Sequence, residues 1–199
     1  MTAVIAASGV RSSWETSATA ARLISAEVTN LARLVEDLIE ISRFDAGTAR
    51  VDRDTVDIAE LITSTLRTRG WLDQVDTHLP PGIFASVDRR RVDVIVANLV
   101  GNALRHGASP IDVRLSVHNG QINVDVTDHG PGLSSDARDR VFDRFYKADT
   151  ARTRSEGSGL GLAIALNNAR LHDGTIEAFN ADGAGARFTL RIPRTGVDS

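Results

Sequence analysis

The chain has 199 residues, enough for one sizeable domain and an appendage, and its 42% apolar and 25% charged content is that of a globular protein. A net charge of −3 argues against a general nucleic-acid binder, and the absence of cysteine excludes disulfides, thiolate metal sites and a cysteine nucleophile. No apolar run approaches the roughly 20 residues of a membrane helix, and residues 1–10 lack the basic region of a signal peptide, so the composition points to a soluble, intracellular (cytoplasmic) protein.

Residues 1–11 read as the end of a helix that runs into a polar stretch, Ser12 to Thr19. A long helix is predicted from about Ala20 to Phe44, where Ile24, Val28, Leu31, Val35 and Leu38 form a heptad seam that Leu34 and Ile41 widen. Glu27, Arg33, Glu36, Asp37 and Glu40 keep the remainder wet. Such a face calls for a partner helix or a second subunit, or else for a helix folded back onto its own domain. Asp45-Ala46-Gly47 supplies the stop.

Beyond Gly47 the pattern is mixed. Val56 to Arg69 reads as a short amphipathic helix with Ile58, Leu61, Ile62 and Leu66 inward. Pro80-Pro81-Gly82 marks a turn and Ile83 to Val87 a strand, after which Asp88 is a plausible N-cap. In the helix it opens, Val92, Ile95, Val96, Leu99 and Ala103 make an apolar stripe, and Asn98 and Asn102 share the face beside it with Arg105 and His106. Ile111, Val113, Leu115 and Val117 alternate with polar residues, Asn119-Gly120 signals a hairpin, and Ile122, Val124 and Val126 alternate in the return strand. Ser134 to Phe145 is predicted helical, with Phe142 and Phe145 as core anchors. A last helix, Leu162 to His172, stops at Gly174, and two strands close the chain, about Thr175–Phe179 and Arg187–Ile192. Antiparallel hairpins with helices on one face predict an α+β two-layer sandwich.

Four features carry chemistry. Carboxamides at Asn98 and Asn102 can ligate a hard cation or hydrogen-bond a polar ligand, although an ordinary polar helix edge would look the same. Asp128-His129-Gly130-Pro131-Gly132 puts a carboxylate at a strand end, able to accept from an exocyclic amine, beside glycines that let a flat ring approach the backbone. Gly157-Ser158-Gly159-Leu160-Gly161-Leu162 opens a helix, where exposed N–H groups and the helix dipole favour a phosphate. It is not a Walker A loop, for no Gly-Lys-Ser/Thr follows. Between the glycine runs, Arg144, Lys147 and Arg152 could reach phosphate oxygens from a loop able to close as a lid.

In this order the four resemble the ATP-binding catalytic domain of bacterial sensor histidine kinases, on the Bergerat-type fold shared with gyrase, Hsp90 and the MutL proteins. NLVGNALRH resembles the N box, DHGPGL the first glycine box, VFDRFY the F box and GSGLGL the second glycine box, while ARLVEDLIEISRFDAG looks like the second helix of the dimerisation and phosphotransfer hairpin. The resemblance implies a hairpin remnant over 1–47 and an ATP-binding domain over 51–195. It implies that Asn102 ligates Mg²⁺ on the ATP phosphates, with Asn98, Arg105 and His106 along the phosphate end. Asp128 would read the adenine amino group, Gly130 and Gly132 would shape the adenine pocket, and Gly157, Ser158, Gly159, Leu160 and Gly161 would border the phosphates and anchor the lid. Arg144, Lys147 and Arg152 would be further phosphate contacts, and catalysis would rest on Asn98, Asn102 and Arg144.

Two departures matter. Ala186 stands where the family often has threonine, so a hydroxyl contact is missing. The phosphoacceptor histidine is absent too: the five histidines are 78, 106, 118, 129 and 172, none on the long helix. Autophosphorylation of this chain alone is therefore not expected. The acceptor would lie in a missing part of a larger kinase or on another polypeptide, with a response regulator as the next partner and a possible homodimer through residues 20–44. Asn98 favours a kinase over a hydrolase, because hydrolytic relatives carry glutamate there to activate water and an asparagine cannot serve as that base. The alternatives on the same fold are a serine kinase resembling the anti-sigma factors and a nucleotide-binding module without catalysis.

Overall fold

The computed structural model describes residues 5–147, 158–181, 183 and 185–194, and the chain divides into two compact units, Met1–Asp45 and Ala46–Ser199. The first is a single helix, α1 (Ile5–Asp45). The break expected over Ser12–Thr19 is not there. Serine and threonine are only mildly poor helix formers, and without proline a polar run lacks the means to end a helix. On α1 the seam residues Ile24, Val28, Leu31, Val35 and Leu38 are exposed, Ile24 by 64%.

The second unit opens with β1 (Asp54–Asp57), which takes Val56 out of the predicted helix, and continues into α2 (Ile58–Thr68). The boundary falls there because the Asp57 carboxylate caps α2, accepting from Glu60 N (3.1 Å), while its other oxygen accepts from Gly82 N (3.2 Å). A short 3₁₀ turn (Leu72–Gln74), β2 (Asp76–His78) and β3 (Phe84–Val87) follow. Next come α3 (Arg89–His106), β4 (Asp112–His118), β5 (Gln121–Thr127) and α4 (Ser135–Arg140), and α5 (Gly161–Arg170), β6 (Thr175–Asn180) and β7 (Ala186–Pro193) end the domain.

Five strands form one sheet in the order β2-β4-β5-β7-β6, and β1 pairs antiparallel with β3 in a separate ribbon. All neighbours in the large sheet are antiparallel except β2, which lies parallel to β4 with Asp76 beside Asp112. Neither β1 nor β2 carries a clear alternation, so neither was legible as a strand. The register aligns apolar rows across the sheet: Val113, Val126, Phe188 and Ala178, then Leu115, Val124, Leu190 and Ile176. These rows meet Ile58, Leu61, Ile62 and Leu66 of α2, the Val92–Ala103 stripe of α3, and Ala165 and Ala169 of α5 in one core. Each fully buried Leu or Ile there contributes roughly 1.5–3 kcal/mol. The opposite face is polar, with Arg191 paired to Glu177 (2.6 Å) and Thr189 donating to Asp125. The helices thus lie on one face, the two-layer α+β arrangement expected.

Candidate functional site

The site is organised by α3. The Asp88 carboxylate caps it through Arg91 N (3.1 Å), and its apolar stripe is fully buried, which fixes the rotation of the helix and leaves Asn98 and Asn102 half-buried along one edge. Asn98 Nδ2 donates to Val94 O (3.0 Å), and its Oδ1 faces Gly161, where a Cβ would come within 2.5 Å. The second glycine run therefore sits directly on Asn98, and a side chain at 161 would push them apart. Asn102 makes no hydrogen bond among the described residues, so its carboxamide is available to a ligand. Arg105 and His106 lie at the end of α3, where partial desolvation of the imidazole, then the Arg105 and Lys147 cations, lower the His106 pKa.

At the end of β5, Asp128 is 4% exposed, and its Oδ1 accepts from Gly130 N (2.8 Å) and Ala186 N (3.3 Å). Its second oxygen has no partner among the described residues and is not sealed from solvent, so it remains an acceptor open to a donor. Glycines enclose this carboxylate. A Cβ at Gly107 would lie 2.4 Å from Asp128 Cβ, one at Gly130 would lie 3.0 Å from Oδ1, and one at Gly185 would fall 1.8 Å from Asp128 O. Gly132 takes φ +76° and lies against the Asn180 side chain, whose carboxamide clamps Leu133 both ways, Leu133 N to Oδ1 (2.7 Å) and Nδ2 to Leu133 O (3.0 Å). Gly107 and Asn180 were not singled out from the sequence, and Ala186 was noted only for a missing hydroxyl, not for the backbone N–H that it gives to Asp128. Nothing in sequence pairs Asn180 with Leu133.

In the second glycine run, Gly159 adopts φ +70° and its carbonyl accepts from Phe145 N (2.9 Å), with Phe145 Cα only 2.9 Å from where a Cβ would stand. Leu160 N donates to Ser158 Oγ (3.2 Å), and Leu160 is fully buried. The F-box segment departs from expectation. Its helix is only α4, Ser135–Arg140, and Phe145 is not a core anchor: it is 62% exposed at φ +63°. The cause is local. The turn that docks Phe145 N on Gly159 O rotates the side chain away from the core, whereas Phe142 stays and packs edge-on against Phe188 (6.3 Å). Arg144, Phe145, Tyr146 and Lys147 line a cleft of about 220 Å³ together with Arg140. A cleft of about 330 Å³ lined by Leu61, Ser64, Thr65, Arg89, Arg90 and Asp93 lies instead at the N-terminal end of α3, away from these groups. Arg152 and Gly157 lie outside the described residues.

The structure thus sets a buried carboxylate with one open oxygen, two helix-edge carboxamides and a glycine-opened helix around the C-terminal half of α3: the arrangement of a Bergerat-type nucleotide-binding domain. Residues 87–196 match the family described as "Histidine kinase-, DNA gyrase B-, and HSP90-like ATPase". The chain belongs to this ATP-binding family, and within it to the catalytic domains of the ATP-dependent sensor histidine kinases of two-component systems. It is 53% identical over 175 residues to the signal transduction histidine-protein kinase AfsQ2 of Streptomyces coelicolor, across 88% of this chain and 33% of that protein. Among solved structures it resembles the histidine kinase AdeS of Acinetobacter baumannii (TM-score 0.67, 26% identity, 85% of this chain and 81% of that one). It also resembles full-length ShkA in complex with AMPPNP (TM-score 0.69, 27% identity, 85% and 37%). The chain spans about a third of the length of the curated relatives it matches. No helix of the described residues is long and apolar enough to cross a membrane.

Proposed function

We propose that this chain binds Mg-ATP with adenine at Asp128 and phosphates between Asn102 and the start of α5, and passes the γ-phosphoryl group to a histidine outside the chain. The observation that carries the reading is the Asp128 carboxylate: nearly sealed, held by two backbone N–H groups on one oxygen, with the other oxygen open. An exocyclic amine is the donor that fits it. Gly130 and Gly132 let the ring approach, and Arg105, His106, Arg144, Lys147 and the run Ser158, Gly159, Leu160 and Gly161 line the phosphate path; Arg152 and Gly157 take the same role by the family resemblance alone. Among the described residues no three His, Cys, Asp or Glu side chains gather as a metal site, and the Asn102 carboxamide is a hard oxygen ligand that would hold a cation together with phosphate oxygens. A magnesium ion so held would neutralise phosphate charge.

Catalysis then rests on positioning and charge compensation. An imidazole nitrogen of the acceptor attacks the γ-phosphorus, the bond to the β-γ bridging oxygen breaks, and ADP leaves. Asn98 offers no base to activate water, so transfer outcompetes hydrolysis. Residues 1–47 act as part of a helical hairpin whose acceptor histidine lies elsewhere. The exposed seam of α1 supports pairing with a helix or with a second copy through residues 20–44. A response regulator receives the phosphoryl group, on the cytoplasmic side, where ATP is found. The test is a separate helical hairpin bearing the acceptor histidine, incubated with this chain and Mg-[γ-³²P]ATP. Acid-labile, base-stable label on the hairpin is the expected result; label on serine, or none while ATP is bound, overturns it.

A further inference from the structure

Residues 46–53 join α1 to the catalytic domain, and the domain grips them. Arg91 Nε donates to Arg50 O (2.9 Å), Asp52 N donates to Asp88 Oδ2 (3.2 Å), and the Arg53 guanidinium reaches Leu171 O (3.2 Å) and Asp173 Oδ2 (2.9 Å). Behind this grip lies a sealed polar cluster: Asp88, Arg91, Asn168 and His172 are 8%, 6%, 0% and 3% exposed. Arg91 Nη1 donates to Asn168 Oδ1 (2.8 Å), and Asp88 N donates to His172 Nε2 (3.0 Å). Because Nε2 accepts, the ring proton sits on Nδ1, where it meets Asn168 O (2.8 Å), so both ring nitrogens are engaged by a neutral imidazole. A buried charged cluster contributes less stability than apolar packing of the same volume; what it supplies is a fixed geometry.

That geometry joins the linker to the site. Asp88 meets His172, Arg91 meets Asn168, and Asn98 meets Gly161, so α3 and α5 run antiparallel. The cluster closes one end of the helix pair and the candidate nucleotide site the other, about 10 Å away along α3. At the site end a Cβ on Gly161 would come within 2.5 Å of Asn98 Oδ1, so the two helices approach closely there and a shift at their base reaches the Asn98 side chain.

We propose that Asp88, Arg91, Asn168 and His172 are positioning residues that lock linker residues 50–53 onto the base of the α3–α5 pair, so that linker docking and nucleotide binding stabilise each other. The proposal rests on the nucleotide reading above. Linkage makes it reciprocal: if the docked linker holds the helices at the spacing ATP needs, bound ATP holds the linker.

Hydrogen exchange at residues 50–53 and ATP affinity, measured on the whole chain with and without Mg-ATP, test it. In the wild type, saturating ATP slows exchange at 50–53 by about fivefold or more. Arg53→Ala, at a side chain 34% exposed and outside the core, releases the linker and weakens ATP binding by a similar factor of about five. Arg91→Lys keeps the charge but cannot reach Arg50 O and Asn168 Oδ1 together, and loses the ATP-dependent slowing. If ATP binds the wild type and leaves exchange at 50–53 unchanged, or if Arg53→Ala speeds exchange at unchanged affinity, the coupling is overturned while the nucleotide reading stands. Failure of the wild type to bind ATP overturns the nucleotide reading and the coupling together, and is seen in the affinity measurement itself.

Discussion

The two ends of the candidate site are built differently. Asp128 is closely held: glycines 107 and 130 lie against its side chain and Gly185 against its backbone carbonyl, two backbone N–H groups hold one oxygen, and Asn180 clamps the turn that follows. Around Asn102 the groups are half-buried or exposed, its carboxamide makes no bond among the described residues, and Phe145 and Arg144 stand in solvent. One end is closely packed around a carboxylate, and the other is more open to solvent. The contrast suits the proposed reaction, in which the same base would be recognised each cycle while a changed phosphate chain is released, because rigidity assists recognition and a loose end permits turnover.

This contrast can be broken from the rigid side first. Gly185→Ala should do the most damage, because φ is +97° and the new Cβ would overlap Asp128 O. The expected cost is on the order of 3 kcal/mol or more of stability, with ATP binding lost, measured by denaturant unfolding and nucleotide titration. Asp128→Asn separates base recognition from folding. The amide oxygen still accepts from Gly130 N and Ala186 N, but the amide NH₂ cannot accept from adenine, so ATP affinity falls by about 1–3 kcal/mol while the melting midpoint changes little. Unchanged affinity would remove Asp128 from the adenine contact.

At the loose end, Asn102→Ala should leave stability within about 0.5 kcal/mol, since no side-chain hydrogen bond is lost, yet weaken Mg-ATP binding by roughly tenfold, about 1.4 kcal/mol. Calorimetry with and without magnesium checks this: a loss of equal size in both would place the cation elsewhere. The smallest effect is in pH dependence. Burial holds the His172 pKa below 6.5, with the Arg53 and Arg91 cations adding to it and the Asn168 carbonyl and Asp88 opposing, and His106 is lowered as well. A base with a depressed native pKa is protonated first in the unfolded chain, so stability is full above pH 6.5 and falls as pH drops towards the native value. The melting midpoint should decrease on acidification through this range, and His172→Gln should flatten that decrease. A decrease of the same slope in His172→Gln would exclude this histidine as its source.

Much of this molecule was legible without coordinates. Apolar alternation marked β4, β5 and β7, helical periodicity marked α2 and α3, Asp88 marked a cap, and the Asn, Asp and glycine motifs stood in recognisable order. These are local signals, carried by spacing within one element. What only the tertiary structure decided is non-local. β1 and β2 exist because their partners β3 and β4 offer an edge, Phe145 leaves the core because Gly159 draws its backbone, and the base of α3 holds a linker through residues from the far end of α5. The same divide runs through the candidate site. Asp128 was visible as a strand-end acid, but its open oxygen depends on Gly130 and Ala186 spending their N–H groups on the other one. That arrangement joins residues 58 positions apart, and no periodicity in the chain encodes it.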